Sequence, residues 1–477
     1  MTVTADDIAA LVQRHYNELP PKRKPVVRGN GLREWVPLAG IVAQGENDEL
    51  WCLSLATGMK CLPVSKILEA QGNVLHDWHA EVLVIRAINR FVLDECKALA
   101  LGGSSRFLRR RTSDEIASGK DTSVEGEGGR QSKWNGQPFT WKEDVLLHMY
   151  CSEAPCGDAS MELIMASQED ATPWELPPET LPSITTPSSP TSTSPISTTT
   201  PSLQGRAYFS QLGVVRRKPA RSDAVPTLSK SCSDKLALHQ ITSLLSSTTA
   251  LLVDPSHVYL HTLILPESRY SESACRRAFS ASPDGRMSNL ANSSFGGGYA
   301  FHPFTVSTTN SEFAYSQRSV TSTLIEANSN GADEPKKAAA GIAPSNLAVA
   351  WTSTGLVEST LGGVLQGRKA SAGVKGASFV SRREIWGLAN SVASLLSYTI
   401  MPEGPAVREE GKGQVEETTT KISAERVEDI QKALNAKTYG EMKASSLLEA
   451  RRSAKEEARA EALKGWVRNL GDESFTL

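Results

Sequence analysis

Hydrophobic and polar positions along the chain predict short strands interleaved with helices. Apolar or alternating runs predict strands at 38–42, 50–55, 145–150, 212–215, 258–265 and 346–351. Apolar residues three and four apart predict helices at the N-terminus, from about residue 79, and over 158–166, 232–245, 381–398 and 424–468. Because strands and helices alternate, we predict an α/β fold, organised as a single elaborated domain over residues 1–477.

Polar stretches without this periodicity predict insertions into that domain. Within 182–202, every residue except Ile184 and Ile196 is Ser, Thr or Pro. Such a segment cannot bury enough apolar surface to offset the entropy lost on ordering, so we predict that the low-complexity insertion at 168–205 is disordered. Further loop insertions are predicted at 111–140, 281–298, 329–340 and 403–420.

Charge and cysteine content narrow the class of protein. The chain has 477 residues, a net charge of −2 and an apolar fraction of 39%, which argues for a real core and against a chain-wide basic field. No apolar run reaches the roughly 18 residues that a membrane span needs, and Asp6 and Asp7 stand where a secretory signal would be basic. The seven cysteines, an odd number, do not suit a disulfide framework. We therefore expect a protein of the nucleus or cytoplasm that is not secreted and not bound to a membrane.

Two short motifs combine the residue types that zinc-dependent chemistry on nucleobases requires. His79-Ala80-Glu81 matches the histidine–glutamate half of the zinc deaminase signature, and Pro155-Cys156 matches the beginning of its other half. A catalytic zinc takes three protein ligands and lowers the pKa of a water from about 15.7 to about 7. A carboxylate that is not a ligand must then carry the proton to the departing amine, and Glu81 is the candidate.

The usual spacing does not supply the third zinc ligand, because Ala159 stands where a second cysteine would lie. We predict Cys232, since it lies at the beginning of a predicted helix, where partial positive charge favours the thiolate. Cys151, which is close to Cys156 but ends a predicted strand, is the alternative. The predicted metal ligands are therefore His79, Cys156 and Cys232. The cysteines without a ligand-like context are Cys52, Cys61, Cys96 and Cys275.

Three motifs in this order resemble those of the RNA adenosine deaminases: HAEV at 79–82, PCGDA at 155–159 and SCSDK at 231–235. In that family the cysteine of SCSDK is the third zinc ligand, which supports Cys232. The similarity runs from about residue 4 to the C-terminus, interrupted by the insertions. Further similar phrases are KRKP at 22–25, REWVPLAG at 33–40, GMKCLP at 58–63, HDWHAE at 76–81 and RRKP at 216–219.

The resemblance implies a cytidine-deaminase-like three-layer α/β/α domain with extra C-terminal helices. It is strongest to the members that act on tRNA, and it implies hydrolytic deamination of adenosine to inosine at position 37 of alanine tRNA. Members that edit double-stranded RNA carry separate RNA-binding domains. The deaminase similarity leaves no room for one here, which favours tRNA as the partner. Nothing in the sequence indicates an obligate protein partner.

The resemblance also implies a buried inositol hexakisphosphate, a polyanion that needs many cations and hydrogen-bond donors. Lys235 matches a lysine that contacts it and that is linked through an aspartate, here Asp77, to the metal site. Other matching positions are Arg86, Lys218, Tyr439, Lys443 and Trp466, with Arg382 and Arg452 as weaker placements. The chain departs from the family pattern at Ile85 and Leu238, where relatives often have arginine.

Several interpretations stay open at this point. Tyr439 and Lys443, four residues apart, could form a solvated helix face, and Lys218 could contact tRNA phosphate. The alternative functions are a deaminase acting on another RNA or on cytidine, and a catalytically inactive tRNA-binding protein, which would typically lack Glu81. A structural zinc protein is a further alternative, but no fourth ligand is obviously placed for it.

Overall fold

The computed structural model describes most of the chain outside its polar insertions. The described residues are 3–118, 134–166, 203–204, 211–218, 225–327, 338, 340–398 and 424–477. The predicted low-complexity insertion at 168–205 lies outside them except for residues 203–204. The predicted loops at 329–340 and 403–420 also lie outside them, except for residues 338 and 340.

Helices and strands alternate along the described parts of the chain, as an α/β pattern requires. The helices are α1 (Ala5–Asn17), α2 (Ala80–Ala100), α3 (Ser113–Ser118), α4 (Met161–Ala166), α5 (Cys232–Thr242), α6 (Glu272–Phe279), α7 (Gln317–Ala327), α8 (Arg382–Tyr398), α9 (Ala424–Leu434), α10 (Tyr439–Ala444) and α11 (Glu449–Glu461). The strands are β1 (Arg33–Trp35), β2 (Leu38–Gln44), β3 (Leu50–Thr57), β4 (Leu108–Arg110), β5 (Phe139–Trp141), β6 (Leu146–Cys151), β7 (Leu203–Gln204), β8 (Arg216–Arg217), β9 (Val253–Asp254), β10 (Leu260–Pro266), β11 (Ser294–Gly296), β12 (Tyr299–Ala300), β13 (Thr305–Thr309), β14 (Ile342–Pro344), β15 (Leu347–Thr352), β16 (Val357–Leu361) and β17 (Val364–Leu365). Among these described helices, none is both long and apolar enough to cross a bilayer.

A mixed eight-stranded sheet forms the centre of the molecule, in the order β13-β10-β6-β2-β3-β15-β16-β17. Strands β6, β10 and β13 are parallel to one another, whereas β2 is antiparallel to both β3 and β6. The predicted hairpin of the first two apolar runs is confirmed, since β2 and β3 pair directly.

Helices cover both faces of this sheet. On one face α1 packs through Ile8, Val12 and Tyr16 against sheet residues that include Val42 and Leu55. On the other face α2, α5 and α8 contribute to a larger apolar core. Alternate residues of a strand point to opposite faces, so β2 sends Ile41 to the larger core and Val42 to the smaller one. The sheet therefore holds the beginnings of α2 and α5 on one side.

Three predicted elements differ from the structure. The single helix predicted over 424–468 is instead the three helices α9, α10 and α11, because Thr438 accepts a hydrogen bond from the Glu441 amide and begins a new helix. The strand predicted at 212–215 is absent from the described residues, where only Arg216 and Arg217 are extended into a short bridge. The predicted loop at 281–298 includes a 3-10 turn, Ser288–Leu290, and strand β11.

Candidate active site

The beginning of α2 places His79 and Glu81 at the base of the site. His79 is the N-cap residue, with an extended backbone, and Glu81 lies in the first helical turn with 6% of its surface exposed. The loop after β3 holds this helix start, because the Ala80 amide donates to the Gly58 carbonyl at 2.9 Å. The helix predicted to begin near residue 79 is therefore confirmed, and its beginning buries a carboxyl group.

Two loops bring Cys156 and Cys232 together, although 76 residues separate them in the chain. The Cys232 amide donates to Cys156 Sγ at 3.3 Å, and the Ser233 amide donates to the Cys156 carbonyl at 3.0 Å. Gly157 makes this approach possible. Its φ is +107°, and a Cβ there would lie 2.3 Å from Ser231 Oγ. The two cysteines predicted as metal ligands are thus neighbours.

Glu81 interacts electrostatically with both cysteines. Burial, together with Cys156, raises the pKa of Glu81 above its usual range, against the opposing effect of His79 and Lys218. Burial, with contributions from Cys156 and Glu81, raises the pKa of the Cys232 thiol well above its usual range. Burial thus opposes the effect that we expect from the helix N-terminus, which is to favour the Cys232 thiolate.

The alternative ligand, Cys151, is also buried near Glu81. Burial raises the pKa of its thiol, and the Glu81 charge adds to this effect. Unlike Cys232, however, it ends strand β6, and its backbone is held there in the register of β2. The contact between Cys232 and Cys156 favours Cys232 over Cys151 as the third ligand.

Asp77 joins the histidine to two lysines. Asp77 Oδ1 lies 2.9 Å from His79 Nδ1, and Oδ2 lies 2.9 Å from Lys218 Nζ and also contacts Lys235 Nζ and Ser229 Oγ. Burial alone would raise the pKa of Asp77, but Lys218, Lys235 and His79 hold it well below its usual range. The carboxylate is therefore ionised and orients the imidazole, leaving Nε2 as the nitrogen that can face a metal.

Lys218 connects this aspartate to the cysteines. Its Nζ donates to Cys232 Sγ at 3.2 Å as well as to Asp77, and its side chain is 5% exposed. Burial would lower the pKa of Lys218, but the charges of Asp77 and the neighbouring cysteines raise it well above its usual range. A permanent cation beside Cys232 favours the thiolate form that binds metal.

Cys61 is a residue whose position the sequence did not reveal. We expected no ligand-like context for it, yet its Sγ lies 3.6 Å from His79 Nδ1. Ligand atoms of Cys61, Asp77 and His79 all lie within 4.8 Å of one another, which makes them a second candidate metal group. In that group the Asp77 carboxylate is already engaged by two lysines. We therefore regard Asp77 as an orienting residue for His79 and not as a metal ligand.

A basic cavity of about 500 Å³ lies on the other side of Asp77. Among the described residues that line it, the cations are Arg86, Lys230, Lys235, Arg382, Lys443, Arg451, Arg452, Lys455, Arg459 and Arg468. The acids that line it are Asp77, Glu456 and Glu473. A connected recess of about 220 Å³ shares five of these cations, namely Arg86, Lys235, Arg382, Arg451 and Lys455, and adds Tyr439 and His239. Cations outnumber acids so strongly that an anion is the expected occupant.

Most residues that the resemblance implied for a polyanion meet in this cavity. Those that line it or its recess are Asp77, Arg86, Lys235, Arg382, Tyr439, Lys443, Arg452 and Trp466. Lys218 lies elsewhere, between Asp77 and Cys232. The cations that the sequence did not single out are Lys230, Arg451, Lys455, Arg459 and Arg468. Their one visible signal is the four-residue spacing of Arg451, Lys455 and Arg459, which places them on one face of α11.

The cations of the cavity act on each other and on two histidines. Burial and the charges of Arg451, Lys443 and Arg459 hold the pKa of Lys455 well below its usual range. Burial and Arg382 lower the pKa of His76 to about 4. Burial also lowers the pKa of His239 to about 4, with Arg451 and Lys455 contributing. In each case burial is the largest cause and the neighbouring cations add to it, although His76 also contacts the Asp472 carboxylate at 2.8 Å.

Comparison with known proteins identifies the family of the chain. Residues 54–470 match the family model of the adenosine-deaminase (editase) domain. The chain is 39% identical over 315 residues to the tRNA-specific adenosine deaminase 1 of Schizosaccharomyces pombe, which covers 65% of this chain and 69% of the relative. It is 31% identical over 266 residues to the Saccharomyces cerevisiae protein of the same name, covering 55% of this chain and 58% of that relative.

A more distant similarity extends to a protein that is named for a different RNA. The chain is 27% identical over 157 residues to the double-stranded RNA-specific adenosine deaminase of Mus musculus, covering 33% of this chain and 11% of that relative. The family model, by contrast, spans most of the chain, including His79, Glu81, Cys156 and Cys232. The chain therefore belongs to the adenosine-deaminase (editase) domain family.

Proposed function

We propose that this protein converts adenosine to inosine in tRNA by hydrolysis, and that its target is adenosine 37 of alanine tRNA. The observation that carries the proposal is the buried Glu81 beside His79, within electrostatic reach of the adjacent Cys156 and Cys232. Membership of the editase family and the names of the two yeast relatives support tRNA as the substrate. Position 37 rests on the motif resemblance.

The donor set suits a catalytic zinc ion. His79, Cys156 and Cys232 would supply one imidazole and two thiolates, and three protein ligands are the number that leaves a coordination position for chemistry. When bound, zinc supplies Lewis acidity that makes water a nucleophile at neutral pH. The chain's own contributions are the Asp77 carboxylate, which orients His79, and Lys218, which favours the Cys232 thiolate.

Glu81 is the residue to which we assign proton transfer. The overall reaction consumes adenosine and water and releases inosine and ammonia. The water oxygen becomes the C6 carbonyl, so its two protons must move, one to N1 of the base and one to the departing amino nitrogen. Burial raises the pKa of Glu81 above its usual range, which makes it a stronger base than an exposed glutamate and suits it to accept a proton and pass it on. A loop nucleotide of tRNA is already unpaired, which reduces the cost of moving its base into the site.

We further propose that inositol hexakisphosphate occupies the basic cavity. Its phosphates would neutralise the cations that, together with burial, lower the pKa of Lys455. Lys235, which contacts Asp77 and lines the cavity, would then link this polyanion to the metal site, with Arg86, Tyr439, Lys443 and Trp466 as further contacts. We also propose that the central sheet with helices on both faces is the cytidine-deaminase-like α/β/α domain.

The replacement Glu81→Gln tests the assignment of the catalytic carboxyl. Inosine formation on an alanine tRNA transcript should fall by about 100-fold or more, the scale of general acid–base catalysis, while zinc content stays at the wild-type level. The control is Glu69→Gln, an exposed glutamate paired with Lys66, which should leave the rate unchanged. Retained activity in the Glu81 variant would overturn the mechanism.

The position of the inosine tests the substrate. Sequencing after incubation should show inosine at position 37 of alanine tRNA and none in a transcript with guanosine at that position. Inosine elsewhere, or uridine in place of cytidine, would reject the proposed target in favour of another RNA or another base.

Two composition measurements test the bound groups. Cys232→Ser should strongly lower zinc content and Cys151→Ser should not, and the reverse would show that Cys151 is the ligand. Mass spectrometry of the acid-denatured protein should detect inositol hexakisphosphate. If none is released, the proposal for the cavity is wrong.

A further inference from the structure

Two buried aspartates follow the two cysteines at the same spacing. Asp158 lies two residues after Cys156, and Asp234 lies two residues after Cys232. Both aspartates are fully buried. A carboxylate without solvent needs a cation or several hydrogen-bond donors. The cation beside each aspartate is an arginine. The two arginines, Arg277 and Arg286, lie in one short stretch of chain.

Arg277, on α6, holds the first aspartate with a fork of hydrogen bonds. Its Nε lies 3.1 and 3.2 Å from the two carboxylate oxygens of Asp158, and its Nη2 donates to the Asp158 carbonyl at 2.9 Å. Nη2 also donates to Glu162 at 3.0 Å. The guanidinium therefore fixes both the side chain and the backbone of the turn that follows Cys156.

Arg286 holds the second aspartate. Its Nη1 donates to Asp234 Oδ1 at 2.6 Å, and its side chain is only 4% exposed. Its Nε donates to the Ala278 carbonyl at 2.8 Å, and its amide donates to the Arg277 carbonyl at 3.0 Å. The two arginines are therefore tied to each other through the backbone. Arg286 lies within 281–298, a segment that the sequence predicted to be only a loop insertion.

The same aspartates also hold the segment that carries Lys218. The Gly213 amide donates to Asp158 Oδ1 at 2.9 Å, and the Arg216 amide donates to Asp234 Oδ2 at 3.0 Å. Through these bonds each arginine–aspartate pair connects a cysteine loop to the strand that brings Lys218 against Cys232.

We propose that Arg277 and Arg286 are positioning residues of the active site, acting through Asp158 and Asp234 on Cys156, Cys232 and Lys218. This inference rests on the proposed function of the site. Each guanidinium neutralises a buried carboxylate two residues from a thiolate and fixes the loop that carries it. Loss of either arginine leaves its aspartate buried without a counter-charge, and we expect this to loosen the segments that carry Cys156 and Cys232.

The test compares Arg277→Met and Arg286→Met with Arg276→Met. Arg276 is a matched control on the same helix, because its ion pair with Asp284 is at the surface, with 51% of the arginine side chain exposed. In the metal-free proteins, amide hydrogen exchange over residues 211–218 should become faster in the two variants and stay unchanged in the control. This readout requires neither metal nor activity.

A second readout uses the bound metal. Cobalt(II) loaded in place of zinc should dissociate to a chelator about 10- to 100-fold more readily from both variants, the range expected when a residue that supports a metal ligand is lost. The cobalt–thiolate absorption should also change. In the zinc protein, kcat should fall while KM for tRNA stays near the wild-type value.

Conservative and paired variants separate positioning from folding. Arg286→Lys keeps the charge and should recover part of the metal retention. Arg277→Met combined with Asp158→Asn should be no worse than the more impaired of the two single variants, because both changes break one connection. Exchange and metal retention equal to those of Arg276→Met would overturn the proposal. A wild-type protein that retains cobalt but makes no inosine would contradict the proposed function alone.

Discussion

The active site and the basic cavity share Asp77 but balance their charges in opposite ways. Around the active site three buried acids each have a cation: Asp77 has Lys218, Asp158 has Arg277 and Asp234 has Arg286. In the described lining of the cavity, ten cations face three acids. These acids are therefore balanced by cations within the protein, whereas the described lining of the cavity has an excess of positive charge.

Replacing Asp77 should have the largest effect on stability, because Asp77 balances the charge of the buried Lys218. Asp77→Asn leaves Lys218 buried without a counter-charge, so the free energy of unfolding should fall by about 3–5 kcal/mol. Urea denaturation measures this change, and the surface replacement Glu69→Gln provides a control. A loss below about 1 kcal/mol would mean that Lys218 and Lys235 are not stabilised mainly by Asp77.

Lowering the pH should destabilise the protein through the two histidines that line the cavity and its recess, His76 and His239. His76 and His239 both have a pKa near 4 in the folded protein, below the usual value of about 6.5, because of burial and the cavity cations. Between pH 6.5 and 4 the unfolded chain binds more protons than the folded one. Their contribution to stability is therefore present above pH 6.5 and is lost as the pH falls to 4, with at most about 1.4 kcal/mol per pH unit for each histidine.

Urea denaturation at a series of pH values measures this slope, and His239→Gln should make it shallower. Inositol hexakisphosphate should also make it shallower, because a bound polyanion offsets the cations that lower the two pKa values. A slope that neither change affects would assign the acid sensitivity to other groups.

Replacing Lys455 with a neutral residue should stabilise the protein when no polyanion is bound and destabilise it when one is bound. In protein refolded without a polyanion, Lys455→Met removes like-charge repulsion and should stabilise the fold by about 1 kcal/mol, the order of one hydrated charge contact. With inositol hexakisphosphate present, the same change removes a favourable contact and should lower the melting temperature relative to wild type. Thermal unfolding with and without the polyanion checks this reversal. The same sign in both conditions would show that the cavity does not bind it.

The smallest effect should come from the rim of the cavity. Arg468 pairs with Glu456 at 3.0 Å, but about 60% of each side chain is exposed, 59% and 62% respectively. Arg468→Ala should therefore change the free energy of unfolding by less than about 0.5 kcal/mol, as solvent and salt screen such pairs. A larger loss of stability would mean that the excess positive charge of the cavity also affects the exposed Arg468.

The two regions also differ in how far the sequence predicted them. His79, Glu81 and Cys156 stand in short motifs whose residue types follow from the chemistry, and the structure brings them to one place together with Cys232. The α/β pattern and the central hairpin were likewise visible, because strand and helix periods are local.

The cavity was harder to predict because its residues acquire meaning only when distant helices meet. Arg451, Lys455 and Arg459 form a charged stripe on α11, which in sequence cannot be distinguished from a solvated face. Cys61 was missed for a related reason, since the turn that brings it to His79 depends on the backbone pairing of Cys61 with Asp77. Both cases depend on tertiary contacts that local patterns do not encode.

Helix α2 has a practical consequence for protein engineering. One uninterrupted helix carries Glu81 toward the cysteines and Arg86 toward the basic cavity, five residues and about 7.5 Å further along its axis. If the catalytic motif is transferred to another scaffold on this helix, the cavity residue Arg86 is transferred with it, because α2 contributes to both sites. The designed protein must then either bind an anion beside Arg86 and the neighbouring cations, or have these cations replaced by neutral residues.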